Sequence, residues 1–182
     1  MGDPRSLLPH EVEIFVVREL RKAGLEPTTV KVRDRTEPKG GDYVVELGCA
    51  LRIGDADRTV LIQCRNERAT VTPTLVEALH ARLAAAKVHH AMMFATAGFE
   101  PNAIRSARTL GIPLFTVADG KTAFARSPWG MAGDPPAWVP EYMAELVDLD
   151  AMGQPRHELL ASGSAGRILE RFASGVPEQT PR

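Results

Sequence analysis

The chain has 182 residues, 44% hydrophobic and 25% charged, with 22 basic against 23 acidic residues and a net charge of -1. That length fits one domain with an appendage, and the balanced charge excludes a global basic field, so any nucleic-acid binding must come from a local patch. Two cysteines exclude a disulfide framework, the apolar runs fall short of a membrane span, and the opening MGDPRSLLPHEVE holds no apolar signal core, so a cytoplasmic protein is expected.

Residues 7–23 read as an amphipathic helix, because Val12, Phe15, Val16, Glu19 and Leu20 recur at three- and four-residue spacing and Gly24 is a natural stop. Thr28 to Arg35 alternates as a half-exposed strand with Val30 and Val32 inward, and TEPKGG at 36–41 is a loop. Asp42 to Ile53 forms a long strand, and GDAD at 54–57 turns it back into TVLIQCRN at 59–66. In that second strand Val60, Ile62 and Cys64 face one way, while Leu61, Gln63 and Arg65 face the other. An amide and a permanent cation then share one face at a strand's end, where they can hold an anionic or metal-linked group.

A helix over 71–88 follows, with Thr72 as N-cap, Pro73 at the first position, and Val76, Leu79, Leu83 and Ala86 inward. AMMFATA at 91–97 is a buried strand. Pro101 opens a helix with Ala103, Ala107 and Leu110 inward, Gly111 ends it, and Ile112 to Val117 is a further buried strand closed by a turn at Asp119 and Gly120. Adjacent His89 and His90 face opposite ways and cannot readily share a metal, and Cys49 and Cys64 read as small buried hydrophobes. No Gly-rich phosphate loop or nucleophile elbow supports a small-molecule domain.

The order α-β-β-β-α-β-α-β predicts an α/β protein with a mixed sheet flanked by helices, the last strands parallel because each is reached through a helix. The core is expected over residues 1–127, with a C-terminal extension over 128–182. A Pro-rich connector carrying Trp129 and Trp138 is expected to pack on the core or on a second subunit. Beyond it come a helix at Glu141 to Met152, a shorter one at Arg167 to Ala173, and a frayed end, PEQTPR.

Glu13 on the first helix, GGD at Gly40 to Asp42 and IQCR at Ile62 to Arg65 together resemble the Mrr-like branch of the PD-(D/E)xK restriction-endonuclease-like superfamily. The similarity continues through Thr96, Gly98, Phe99, Ala103, Ala107, Gly111, Ile112, Asp119 and Gly120, so it spans Leu7 to Gly120. The resemblance implies a restriction-endonuclease-like core and a metal-dependent DNA endonuclease of restriction or defence type. It implies Mg²⁺ or Mn²⁺ as cofactor, DNA as partner, no membrane association, and a homodimer as the assembly to test. In its terms Asp42 is the principal carboxylate, Gln63 a neutral oxygen ligand and Glu13 an accessory carboxylate.

Arg65 stands where this family has lysine, and a guanidinium with a pKa above about 12 neutralises charge but is a poor general base. The alternative is therefore a catalytically impaired relative serving as a nucleic-acid-binding or regulatory subunit. A hairpin centred on 54–57 puts Gln63 opposite about Gly48, leaving Asp42 roughly 20 Å away along the strand. Either a bulge, for which Gly48 is a candidate position, or a different register closes that gap for Asp42, or Glu46, on the same face, supplies the carboxylate; the GGD match favours Asp42.

Overall fold

The fold is built on alternation. Seven extended segments join one mixed sheet: β1 (Pro27–Arg35), β2 (Tyr43–Ile53), β3 (Ala56–Asn66), β4 (His90–Ala95), β5 (Leu114–Asp119), β6 (Tyr142–Leu149) and β7 (Pro155–Leu159), side by side in chain order. The computed structural model describes residues 2–128, 130 and 133–175. β1, β2 and β3 pair antiparallel, β3, β4 and β5 parallel, and β5, β6 and β7 antiparallel. The parallel pairs arise as expected, because α2 (Pro73–Ala86) and α3 (Pro101–Leu110) carry the chain back across the sheet before each new strand.

Helices cover both faces. α1 (Pro9–Ala23) and α5 (Ser164–Ser174) press Phe15, Val16, Leu20, Ile168 and Phe172 onto a face made by Val45, Leu47, Ile62, Phe94 and Phe115. Phe94 and Phe115 stack at 4.5 Å, and Phe15 meets Phe94 edge-on at 6.4 Å. α2 and α3 cover the other face, setting Val76, Leu79, Ala103, Ile104 and Ala107 on Leu61, Met93 and Leu114. Each large apolar side chain buried this way contributes roughly 1.5–3 kcal/mol. Both cysteines are buried free thiols, and burial pushes the Cys49 thiol up to about 11.

Three readings are corrected downstream of β5. Asp119 and Gly120 do not form a plain turn: the Asp119 carboxylate accepts from the Thr122 backbone N–H at 3.0 Å and caps α4 (Gly120–Arg126). The segment 141–152, expected as a helix, is strand β6. Its Met-Ala-Glu-Leu content favours a helix locally, but the open edge of β5 offers a full ladder of partners, and that pairing prevails. Where short helices alone were expected after the connector, the chain adds two strands to the sheet before α5, which starts earlier than the expected 167–173. Trp138 is 72% exposed and meets Phe124 edge-on at 6.2 Å. Trp129 and residues 176–182 lie outside the described residues. Among the described residues no helix is long and apolar enough to cross a membrane.

One buried charge ties the start of the chain to this later segment. Glu19, on the apolar stripe of α1, is fully buried; its carboxylate accepts from the Ala144 backbone N–H of β6 at 2.8 Å, from Lys22 Nζ at 2.7 Å and from Arg18 Nε at 3.2 Å. Lys22 and Arg18 can turn to water, but the Ala144 N–H cannot. Glu19→Ala is therefore expected to cost about 1–3 kcal/mol, the cost of one unpaired buried donor. Urea unfolding reads this directly, and an unchanged midpoint would show that the contact does not tie α1 to β6.

His90 stacks on Phe172 at 4.3 Å, and burial holds its imidazole below the usual range, with His89 and Arg58 adding to the effect. The unfolded state then takes up its proton first as pH falls. The contribution is intact above about pH 6.5 and is lost as pH drops toward the lowered value. His157, also lowered chiefly by burial, adds in the same direction. The melting temperature is expected to fall between pH 7.5 and 5.5, and His90→Leu to show a smaller fall.

Candidate functional site

A short turn decides which residues meet. Gly54, at φ +61°, and Asp55 form a two-residue turn, so pairing starts at Ile53 with Ala56 and runs unbroken to Tyr43 with Asn66. Gln63 consequently stands opposite Glu46, not opposite Gly48 as expected. Ala56 and Asp57, expected in the turn, belong to the strand, and the β2–β3 ladder has no bulge. The register irregularities fall instead between β1 and β2.

Opposed residues of an antiparallel pair point to the same face. Val45, Leu47, Ile62 and Cys64 enter the α1 side, so Glu46, Gln63 and Arg65 face the α2 side. Gln63 Nε2 donates to Glu46 Oε1 at 3.0 Å, and Gln63 Oε1 accepts from Arg65 Nη1 at 3.0 Å. Arg65 also forks onto Glu67, with Nε to Oε2 at 2.7 Å and Nη2 to Oε1 at 3.1 Å. From α2, Arg82 Nη1 reaches Glu46 Oε1. Glu46 and Gln63 are 3% and 7% exposed, and Glu46 Oε2 is buried with no hydrogen-bond partner.

Asp42 and Glu13 lie elsewhere. Asp42 sits four residues before Glu46, roughly 13 Å along an extended strand. It is 40% exposed and ion-paired with Arg5 Nη2 at 3.3 Å. Arg5 belongs to the 3-10 turn Pro4–Ser6, a segment tied down by Tyr43, whose hydroxyl donates to the Leu7 carbonyl, and by Asn66 Nδ2, which donates to the Arg5 carbonyl at 2.9 Å. The GGD stretch thus fastens the N-terminal segment over the open end of the hairpin. Glu13 is half-buried on α1, beside Ile14, Val17, Arg18 and Arg21, with the sheet between it and Gln63. The loop after β4 closes the neighbouring end: Thr96 Oγ1 donates to Asn66 Oδ1 at 3.2 Å, Gly98 turns at φ +83°, and Phe99 is buried.

Two site residues escaped the sequence reading. Glu67 continues the alternation Gln63, Arg65, Glu67 on one face, a signal that was present. Arg82 flanks the inward stripe of α2, between Leu79 and Leu83, and nothing local marks it. A cationic margin lies beside them on β1: Lys31 is opposite Gly48, and the stem of Arg33 lies over that glycine so closely that a Cβ there would come within 2.8 Å of Arg33 Cδ. Neither cation forms an ion pair among the described residues.

Among the described residues no group of three or more His, Cys, Asp or Glu side chains could hold a metal ion. The hard-oxygen donors present are the Glu46 carboxylate and the Gln63 amide oxygen, with the Glu67 carboxylate already engaged on both oxygens by Arg65. A buried carboxylate oxygen without a donor is costly, and a divalent cation satisfies it, so Glu46 Oε2 fits such an ion.

Among known families, the restriction endonuclease model of the Mrr catalytic type matches residues 4–122, from the first 3-10 turn into α4. No curated protein and no solved structure matches. The matched span includes β1 to β5 and the whole Glu46, Gln63, Arg65 and Arg82 set.

Glu67→Gln removes the charge that holds Arg65 while keeping the shape. Hydrogen bonds to charged groups contribute about 1.5–3 kcal/mol, and a loss in that range is expected by chemical denaturation. A loss under a few tenths would show that Arg65 is held by Gln63 alone.

Proposed function

From the premise that the chain belongs to the restriction endonuclease family of the Mrr type, we propose that it acts on DNA as a metal-dependent endonuclease, with Glu46 and Gln63 presenting the oxygen ligands. One observation carries this assignment: the in-register pairing of Glu46 with Gln63, with a carboxylate oxygen left unpartnered in a buried position. Asp42, the first choice on motif grounds, is engaged with Arg5, and Glu13 lies on α1, the helix that covers the opposite face of the sheet.

A bound Mg²⁺ or Mn²⁺ supplies charge neutralisation at the phosphate and a more acidic water. The chain's own residues do the rest. Glu46 and Gln63 fix where the ion sits. Arg65, beside them, offers a planar set of N–H donors matched to phosphate oxygens. Lys31 and Arg33 give the local positive margin that a protein of net charge -1 needs in order to hold a polyanion.

A second reading is favoured by Arg65 itself. A guanidinium cannot accept a proton from water at neutral pH, and Glu67 and Gln63 already engage it. On this reading the chain binds DNA through the nuclease site and cleaves it slowly or not at all.

One plasmid assay separates the two. In the first reading, the wild type nicks supercoiled DNA with Mg²⁺ or Mn²⁺, Glu46→Ala does not, and Asp42→Ala retains activity. In the second, the wild type shifts DNA on a gel without nicking it. Arg65→Lys then gains cleavage by about 10² or more, the contribution of a positioned base. Equal nicking by wild type and Glu46→Ala sinks the assignment of the site.

A further inference from the structure

Glu46 carries the only buried charge on the α2 side of the hairpin among the described residues, and its partner is an unusual one. Arg82 comes from the second half of α2, where Ala81, Ala84 and Ala85 are exposed, and its side chain is 47% exposed while that of Glu46 is 4% exposed. A buried carboxylate needs a cation beside it, and removing that cation is costly. A half-exposed guanidinium on a flexible stem loses little by returning to water. The pair is therefore asymmetric: Glu46 depends on a cation, but Arg82 does not depend on Glu46.

The contact also falls where a metal is placed. Arg82 and Gln63 share Glu46 Oε1, Oε2 is empty-handed, and Gln63 Oε1 lies on the same face. A divalent ion held by Glu46 would bring two positive charges to a carboxylate that already has one beside it. At this separation and burial, like charges repel strongly, so the ion and Arg82 cannot both be favoured there.

We propose that Arg82 is a resident counter-ion for Glu46, holding the carboxylate in the metal-free protein and yielding it to a divalent cation, so that Arg82 sets the metal affinity of the site. Arg82 is thus a positioning residue that acts through Glu46. The inference rests on Glu46 being the metal-holding carboxylate.

The test is direct binding of Mn²⁺ to the full chain, followed by the electron paramagnetic resonance signal of free Mn²⁺, for wild type, Arg82→Gln and Glu46→Gln, with melting curves alongside. Arg82→Gln is expected to tighten Mn²⁺ binding about tenfold or more, because the competing charge is gone. Without metal it is expected to melt below the wild type, and saturating Mn²⁺ is expected to raise its melting temperature by more than it raises the wild type's. Arg82→Met, which keeps the stem along α2, serves as the second variant and is expected to behave the same way. Glu46→Gln is expected to abolish binding. If Glu46→Gln abolishes binding while both Arg82 variants bind as the wild type does, the counter-ion role is overturned and the metal site stands. If Glu46→Gln binds unchanged, the metal site fails and takes the counter-ion role with it.

Discussion

The site depends on the register of one hairpin. Gly54 and Asp55 close β2 onto β3 in two residues, and every later pairing follows from that closure. A one-residue slip would turn Gln63 and Arg65 into the α1 core. A two-residue slip would keep their face but set Gln63 against Gly48, which has no side chain. The observed register puts the Glu46 carboxylate and the Gln63 amide opposite each other. The apolar side chains on the other face, Val45, Leu47, Ile62 and Cys64, exclude the odd slips, because each would lose its burial under α1, and the two-residue turn excludes the even ones.

The polar face is ordered by alternating partners. Arg82, Glu46, Gln63, Arg65 and Glu67 form one chain in which two ion pairs, Arg82 with Glu46 and Arg65 with Glu67, are joined by an amide that donates to Glu46 and accepts from Arg65. From Glu46 to Glu67 the chain is poorly solvated and each group is held in place by the ones beside it, whereas Arg82 at its end is half-exposed. The amide matters here: a second carboxylate at position 63 would stand directly against Glu46 and raise the repulsion between them. Arg65 is gripped by Glu67 with two bonds, which orients the guanidinium but commits it.

Much of this was legible in the sequence. The alternation of TVLIQCRN put Val60, Ile62 and Cys64 on one face and Leu61, Gln63 and Arg65 on the other, as found, the helix-ending glycines at 24 and 111 do adopt left-handed backbone, and the crossover helices required parallel strands. Three features were not legible, each because the deciding partner is distant. The register turned on whether Ala56 and Asp57 belong to the turn or to the strand, which only the cross-strand ladder decides. β6 reads locally as helix and becomes strand because β5 needs a neighbour. Arg82 looks like any surface arginine of an amphipathic helix until its distance to a carboxylate 36 positions earlier is known. Glu19 was visible as a polar residue in an apolar stripe, but its partner lies 125 positions later.

That last separation has a consequence for how the protein is made. While the chain emerges from the ribosome, α1 is synthesised first, yet the backbone N–H that satisfies its buried glutamate arrives only with β6, and the α5 residues Ile168 and Phe172 that complete the same core layer come later still. Until then the Glu19 carboxylate has only Arg18 and Lys22 of its own helix, both of which reach it from the solvent side, and lacks the donor that satisfies it in the core. Closure of that layer therefore waits for the C-terminal segment. The contact spans 125 positions, and long-range closures of this kind are the slow ones in folding.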